Sequence, residues 1–148
     1  MFEIDTYKVQ LVREGSAEYA HIYADCPENA GEILAQYLKG ADREHFVVLM
    51  VDRKNHVIGI NTVSIGTLCG SLVSPREVFK PAILGNAASI ILGHNHPSGN
   101  TEPSKEDIAT TKRLVEAGKL MDIPVLDHVI VNVVTGDCTS LKEEGFVR

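Results

Sequence analysis

The hydrophobic and polar positions along this chain form two kinds of pattern, one typical of strands and the other typical of helices. Unbroken apolar runs of strand length, such as residues 45–52 (HFVVLMVD) and 88–93 (ASIILG), predict strands buried on both faces of a sheet. Segments with apolar residues every three or four positions predict amphipathic helices. The pattern predicts strands over residues 7–12, 18–23, 45–52, 56–66, 88–93 and 123–133, a glycine-bounded loop over 66–70, and helices over 26–40, 74–87 and 104–122. Helices interleaved with strands in this order predict an α/β fold, a compact mixed β-sheet with flanking helices.

Two of the predicted helices carry further detail. Ser74 and Glu77 have the spacing of a capping box, in which each residue satisfies a backbone N–H of the other. In the helix over 104–122, the period predicts a stripe of apolar residues that faces the core, namely Ile108, Leu114, Val115 and Leu120.

The composition is that of an ordinary globular protein. The 148 residues suit one domain with a single core, so we expect residues 1–148 to form one domain. Hydrophobic residues make up 44% and charged residues 23%, which excludes a disordered or fibrous chain. No apolar run approaches the roughly 20 residues of a membrane helix, and residues 1–10 lack the basic and apolar regions of a signal peptide. The expected location is the cytoplasm, with no membrane partner.

The cysteines argue against a disulfide framework and a thiolate metal site, and the net charge argues against a nucleic-acid partner. Cys26, Cys69 and Cys138 are odd in number and far apart, and no CxxC pair exists, so neither a disulfide framework nor a thiolate zinc site is indicated. The formal net charge is −6. Binding to phosphate backbones needs an excess of lysine and arginine, so a nucleic-acid partner is disfavoured unless a local basic patch exists.

Two histidines lie one residue apart where the strand over 88–93 ends, in the stretch ILGHNHPSGN. Residues two apart in an extended chain project to the same face, so His94 and His96 point together and Asn95 points away. Two imidazoles on one side can supply two of the three protein ligands that a catalytic zinc needs, with the fourth position left for water.

The third ligand is expected at the start of the following helix. Gly99 and its neighbours reverse the chain, and Asp107 then lies three residues after Ser104, close to where the strand ended. Each feature also has a plain structural interpretation: Asp107 could only cap the helix with Ser104, and each histidine could be a satisfied polar residue at a strand end. Four such residue types at these offsets arise by chance in roughly one chain in several thousand, which favours a metal site.

The motif and its surroundings resemble a known family. Residues 94–107 (HNHPSGNTEPSKED) resemble the JAMM motif of the MPN+ metalloprotease domain, in the form carried by the bacterial RadC family. Residues 66–99 and 126–131 (LDHVIV) also resemble RadC-family sequence. The resemblance implies an MPN (RadC-like JAMM) domain over 26–148, with N-terminal strands over 1–25 that belong to it or extend it. Many RadC relatives carry an N-terminal segment similar to a helix-hairpin-helix, for which this chain has no room, so we expect a short, stand-alone domain of the catalytic type.

The resemblance implies a catalytic Zn2+ site and a reaction. The zinc is held by His94, His96 and Asp107 plus a water, Ser104 helps to stabilise the tetrahedral intermediate, and Glu44, just before a buried strand, acts as general base. The family fold is a mixed α/β domain related to the cytidine-deaminase-like architecture. Because MPN+ relatives cleave isopeptide bonds to ubiquitin-like tails, the implied function is a zinc-dependent hydrolase acting on peptide or isopeptide bonds of a peptide or protein substrate. The family name implies an alternative, a DNA-repair or DNA-associated accessory protein without peptidase activity.

The residues alone leave the general base open. Glu102 lies in the loop after the histidines and Glu106 is adjacent to Asp107, so both compete with Glu44 for this role. Glu44 could also be a solvated residue at a strand start. Farther along, His128 in a buried strand could orient a metal ligand from behind, or could pair with Asp127 in a hydrogen bond near the sheet end.

Three other classes fit the motif less well. The letters His-Asn-His suggest an HNH nuclease, but the residues of that nuclease are widely spaced along a ββα-metal unit, whereas these are adjacent. A zinc deaminase is excluded because neither H-x-E nor P-C-x-x-C is present. A non-catalytic binding module on the same scaffold is disfavoured because such domains usually lack the metal ligands.

Overall fold

The protein, described by a computed structural model over residues 1–66 and 73–148, has a mixed five-stranded sheet and three helices in those residues. The strand order is β2-β1-β3-β4-β5, and only β3 and β4 pair in parallel. In chain order the elements are α1 (Pro27–Tyr37), β1 (His45–Val51), β2 (Val57–Ile65), α2 (Pro75–Leu84), β3 (Ser89–Asn95), α3 (Lys105–Met121), β4 (Val125–Val131) and β5 (Cys138–Ser140). The predicted α/β class, with a mixed sheet and flanking helices, is confirmed.

Helices cover both faces of the sheet, which explains why its central strands are apolar throughout. One core packs against α1 and the other against α2 and α3. Successive side chains of β1 alternate between these two cores, as the pleat of a strand requires. Phe46, Val48 and Met50 belong to the core on the α2 and α3 side, whereas Val47, Leu49 and Val51 belong to the core on the α1 side.

The same alternation continues through β3 and sorts the candidate residues. Ile90 and Leu92 pack on the α2 and α3 side, so His94 lies on that side too, stacked against Phe46 with ring centroids 5.9 Å apart. Gly93 faces α1, and Asn95 shares that face. The predicted separation of the two histidines from the intervening asparagine is therefore built into the strand.

Gly93 allows α1 to lie close against β3. A Cβ placed on Gly93 would come within 2.5 Å of Cδ2 and 2.6 Å of Cδ1 of Leu34, a fully buried residue of α1. Any side chain at position 93 must therefore displace this leucine or the helix that carries it.

Gly93→Ala is expected to lower the free energy of unfolding by about 1–3 kcal/mol, because overpacking in a dense core forces neighbouring side chains out of their rotamers. In a Leu34→Ala background the same change should cost much less, since the colliding methyl groups are gone. Chemical denaturation of the wild type, both single variants and the double variant gives the coupling. Additive costs would show that the Gly93–Leu34 contact does not limit packing.

The two strands predicted within the first 25 residues are not found in the structure. The strands expected over 7–12 and 18–23 are absent: residues 1–19 form no helix or strand, and Tyr23 makes only an isolated antiparallel bridge with His56. The apolar side chains of residues 1–12 are exposed, Tyr7 and Val9 among them. Alternation decides which side chains would share a face, but a strand forms only where its backbone finds a pairing partner.

Smaller corrections concern the helices and the last strand. Leu120 was expected to face the core, but it is 86% exposed, whereas Leu114 and Val115 are buried as predicted. Ser74 caps α2 by accepting a hydrogen bond from the Glu77 N–H, as its spacing indicated. The short β5 was not predicted. Most of the loop expected over 66–70, with Cys69, lies outside the described residues.

No helix in the described part of the chain is both long and apolar enough to span a bilayer.

Candidate metal centre

Four candidate residues from three separate segments meet where the start of β1 lies beside the end of β3. Antiparallel pairing places Phe46 opposite His94, so Glu44, two residues before Phe46, arrives beside the end of β3 that carries His96. Oε1 of Glu44 lies 3.8 Å from Nε2 of His94. Ligand atoms of Glu44, His94, His96 and Asp107 all lie within 4.8 Å of one another. A cluster of this composition and size can hold one metal ion.

The N-terminus of α3 carries Asp107, one of the two carboxylates of this cluster. Ser104 is the N-cap, and its Oγ accepts a hydrogen bond from the Asp107 N–H at 3.0 Å. Oδ2 of Asp107 accepts in return from the Ser104 N–H at 2.9 Å, which completes a capping box. The cap therefore holds the Asp107 side chain in place while its oxygens also face the histidines. Capping and metal binding, the two interpretations of Asp107, are compatible in one geometry.

The imidazole nitrogens of the two histidines point at each other and at Asp107. Nε2 of His94 lies 3.1 Å from Nε2 of His96. Asp107 places Oδ1 3.2 Å from the first nitrogen and Oδ2 2.9 Å from the second. Ligand atoms about 2.0–2.1 Å from a tetrahedral zinc lie roughly 3.3 Å apart, so these spacings fit such an ion.

Hydrogen bonding supports the same conclusion for His96. Its Nδ1 lies 2.7 Å from the carbonyl oxygen of Asn100, which can only accept, so Nδ1 carries the proton. In the neutral imidazole Nε2 then has a free lone pair directed into the cluster. A lone pair aimed at a carboxylate and at a second imidazole nitrogen is satisfied by a proton or by a metal cation.

The charges in the cluster suit a cation. Burial opposes ionisation of the Asp107 carboxyl, but the imidazoles of His94 and His96 beside it outweigh this effect and hold its pKa well below the usual range. The hydrogen bond to Asp107 raises the pKa of His96, although burial works in the opposite direction. Asp107 is therefore an anion throughout the neutral range, and a proton on His96 competes with any metal.

The raised pKa of His96 predicts how metal binding depends on pH. Competition by protons should begin above 6.5, the ordinary pKa of histidine, and strengthen as the pH falls. Below the pKa of His96 the apparent affinity for metal should drop by about tenfold per pH unit for each displaced proton. Titration against a chelator whose own protonation is known measures this slope. An affinity that stays constant from about pH 8 down to about pH 6 would contradict the assignment of His96 as a ligand.

Asn95 contributes to the site although its side chain points away from the cluster. The residue is 2% exposed. Its Oδ1 accepts from the backbone N–H of His45 at 2.9 Å, and its Nδ2 donates to the carbonyl of Arg43 at 3.1 Å. These bonds hold the backbone on both sides of Glu44. The asparagine between the two histidines thus positions a third member of the same cluster.

His128 and Thr111 lie directly behind His94. Nε2 of His128 is 2.7 Å from Nδ1 of His94, and Nδ1 of His128 is 2.5 Å from Oγ1 of Thr111. Burial, together with the nearby His94, lowers the pKa of His128 well below its ordinary value. Of the two predicted roles for His128, the structure shows the contact with a candidate ligand. Asp127 accepts from the Ser140 hydroxyl and from the backbone N–H groups of Lys142 and of His128 itself, so it pairs with the backbone of His128 and not with its imidazole.

A cavity of about 620 Å³ opens over the cluster. Glu102 and Glu106, the other candidates for general base, also line it, but both are exposed and neither belongs to the group of four ligand atoms found in the described residues. The structure therefore brings Glu44 closer to the histidines than its place in the sequence suggests. Its catalytic role, like that of Ser104, stays a prediction.

Sequence reasoning overlooked Thr111 and the contacts of Asn95. Thr111 lies one helical turn after Asp107 on the same face of α3, and this spacing was the available signal. For Asn95 there was no signal, because its partners are backbone groups some fifty positions away.

Comparison with known proteins places the chain in a family. A family model described as RadC-like JAB domain matches residues 24–146. A UPF0758 protein of Desulforamulus reducens is 51% identical over 122 residues, which cover 82% of this chain and 53% of that protein. UPF0758 proteins of Caldanaerobacter subterraneus and Methanosarcina acetivorans are 52% and 47% identical over 81% and 82% of this chain, and over 51% and 52% of their own lengths. This chain thus spans about half the length of the curated relatives it matches.

Proposed function

This chain belongs to the RadC-like JAB domain family, and from that premise we propose that it is a zinc-dependent hydrolase of peptide or isopeptide bonds. The observation that carries the proposal is the convergence of Glu44, His94, His96 and Asp107 within 4.8 Å. His94, His96 and Asp107 would hold the ion. When bound, zinc supplies Lewis acidity, which polarises a carbonyl and lowers the pKa of a bound water to about 7.

Glu44 is proposed as the group that moves protons. Its side chain is 29% exposed, so it reaches the cavity while remaining close to His94. A carboxylate in this place can take a proton from the attacking water and later deliver it to the leaving amine. Amide hydrolysis needs this transfer because the nitrogen would otherwise have to leave as a strongly basic amide anion rather than as a neutral amine.

Ser104 is proposed to stabilise the negative oxygen that forms during attack. Its Oγ already accepts from the Asp107 N–H, so the hydroxyl proton stays available for another acceptor. The side chain is exposed and lines the cavity. A donor of this kind typically contributes about 3 kcal/mol to the transition state.

A peptide or protein is the proposed substrate, rather than a nucleic acid. Four carboxylates line the described part of the cavity, from Glu44, Glu102, Glu106 and Asp107, and no lysine or arginine does. A phosphodiester backbone would meet repulsion there, since its binding requires cationic side chains. The net charge of −6 acts in the same direction.

Metal analysis combined with activity profiling tests the proposal. The purified chain should contain about one zinc, or take it up from a zinc salt, and should cleave members of a library of peptides and lysine-linked isopeptides. A chelator should abolish cleavage, and added zinc should restore it. A folded protein that takes up no zinc would overturn the metal assignment. Zinc binding without any zinc-dependent cleavage would overturn the hydrolase assignment.

A further inference from the structure

A chain of hydrogen bonds runs through the core behind His94. Oγ1 of Thr111 donates to the carbonyl oxygen of Asp107 at 2.7 Å. The same Oγ1 lies 2.5 Å from Nδ1 of His128, and Nε2 of His128 lies 2.7 Å from Nδ1 of His94. Thr111, His128 and His94 are all completely buried, so no water competes for these contacts. The chain begins and ends at candidate metal ligands.

The carbonyl at one end determines the direction of every proton in the chain. A carbonyl only accepts, so the single hydroxyl proton of Thr111 is directed to Asp107 and its oxygen accepts from Nδ1–H of His128. A neutral imidazole has one N–H, which leaves Nε2 of His128 as the acceptor for Nδ1–H of His94. Nε2 of His94 is then left with a lone pair facing the cluster.

The opposite direction would block the site. If the Thr111 hydroxyl donated to His128 instead, His128 would donate from Nε2 and the proton of His94 would move to its own Nε2. That nitrogen lies 3.2 Å from Oδ1 of Asp107, in the position from which a metal would be bound. A proton there has to be removed before coordination, which weakens the apparent affinity for metal.

We propose that Thr111 and His128 are positioning residues that hold His94 in the tautomer able to bind metal through Nε2. The inference rests on the metal site of the proposed function. His96 reaches the same tautomer directly, through the carbonyl of Asn100. His94 depends on a relay of two side chains because its Nδ1 faces the buried strand β4 rather than a free carbonyl.

Thr111→Val and Thr111→Ser form the matched pair that tests this inference. Valine keeps the shape of threonine but removes the hydroxyl, whereas serine keeps the hydroxyl. Zinc affinity, measured by competition with a chelator, should fall about 10–100-fold in Thr111→Val, the usual effect of losing a supporting hydrogen bond. Thr111→Ser should stay within a few-fold of the wild type. Equal affinities in all three proteins would overturn the proposal.

A second measurement reads the tautomer itself. Long-range ¹H–¹⁵N correlation spectra of the wild type should show Nδ1 of His94 protonated and Nε2 unprotonated, in both zinc-free and zinc-loaded protein. In zinc-free Thr111→Val the two nitrogens should shift toward an average of both tautomers. A wild-type His94 protonated at Nε2 in the zinc-free protein would overturn the proposal even if the variant failed to fold. If the wild type bound no zinc, the proposed function would fail, while the zinc-free spectra would still decide the direction of the relay.

Discussion

Glu44→Gln is expected to keep its bound zinc and to lose hydrolysis by about 10²–10⁴-fold, the usual contribution of a general acid–base group. Glutamine has nearly the same shape as glutamate but cannot accept a proton at neutral pH. His94, His96 and Asp107 remain in place in this variant, so metal binding should survive. Zinc content and turnover on the same substrate, measured side by side, separate the two effects.

Glu102→Gln and Glu106→Gln are the matched controls, because each also removes one carboxylate from the lining of the cavity. Both should lose far less activity than Glu44→Gln. If either of them lost as much, the proton-transfer role would belong to that residue or be shared. Full turnover of Glu44→Gln would remove Glu44 from the mechanism.

Asp107→Ala and Asp107→Asn are both expected to lose the metal, yet to differ in stability. Both remove the anionic ligand, so zinc affinity should fall by more than the about 10–100-fold that follows loss of a supporting hydrogen bond. Asparagine keeps an oxygen that can accept from the Ser104 N–H, whereas alanine removes this half of the capping box. Only the alanine variant should therefore lose the about 0.5–2 kcal/mol that a helix cap contributes.

Zinc per chain and denaturant unfolding of the metal-free proteins measure these two effects separately. Glu106→Gln is a suitable control, since it removes an adjacent, exposed carboxylate and should leave zinc binding intact. If Asp107→Asn bound zinc as tightly as the wild type, Asp107 would act only as a helix cap.

Much of the fold follows from local patterns. The two buried strands next to the site, β1 and β3, were predictable because helices cover both faces of the sheet and leave unbroken apolar runs in the sequence. The alternating segment over residues 7–12 was wrongly predicted to be a strand, since no strand within residues 1–66 and 73–148 pairs with it. Leu120 was wrongly predicted to face the core because it lies at the end of α3, where residues 119–122 are all exposed.

The part of the site predictable from sequence is the part that is close in sequence. Fourteen consecutive residues contain His94, His96, Ser104 and Asp107. These residues follow one another through a strand end, a chain reversal and a capped helix, so there is little freedom in how their side chains meet. The two-residue period of the strand placed both histidines on one face, and the capping box oriented the carboxylate.

Glu44, Asn95, Thr111 and His128 needed the tertiary structure. Glu44 reaches the cluster because β1 pairs antiparallel with β3 in one register, and a shift by one residue would turn its side chain to the other face. His128 reaches His94 because β4 pairs in parallel with β3 on the opposite side. Local spacing is encoded by the covalent chain, so the sequence alone determined a candidate set of metal ligands. Which strands become neighbours, and in which register, depends on packing of the whole sheet, and this decided the position of Glu44 and the hydrogen bonds that support the ligands.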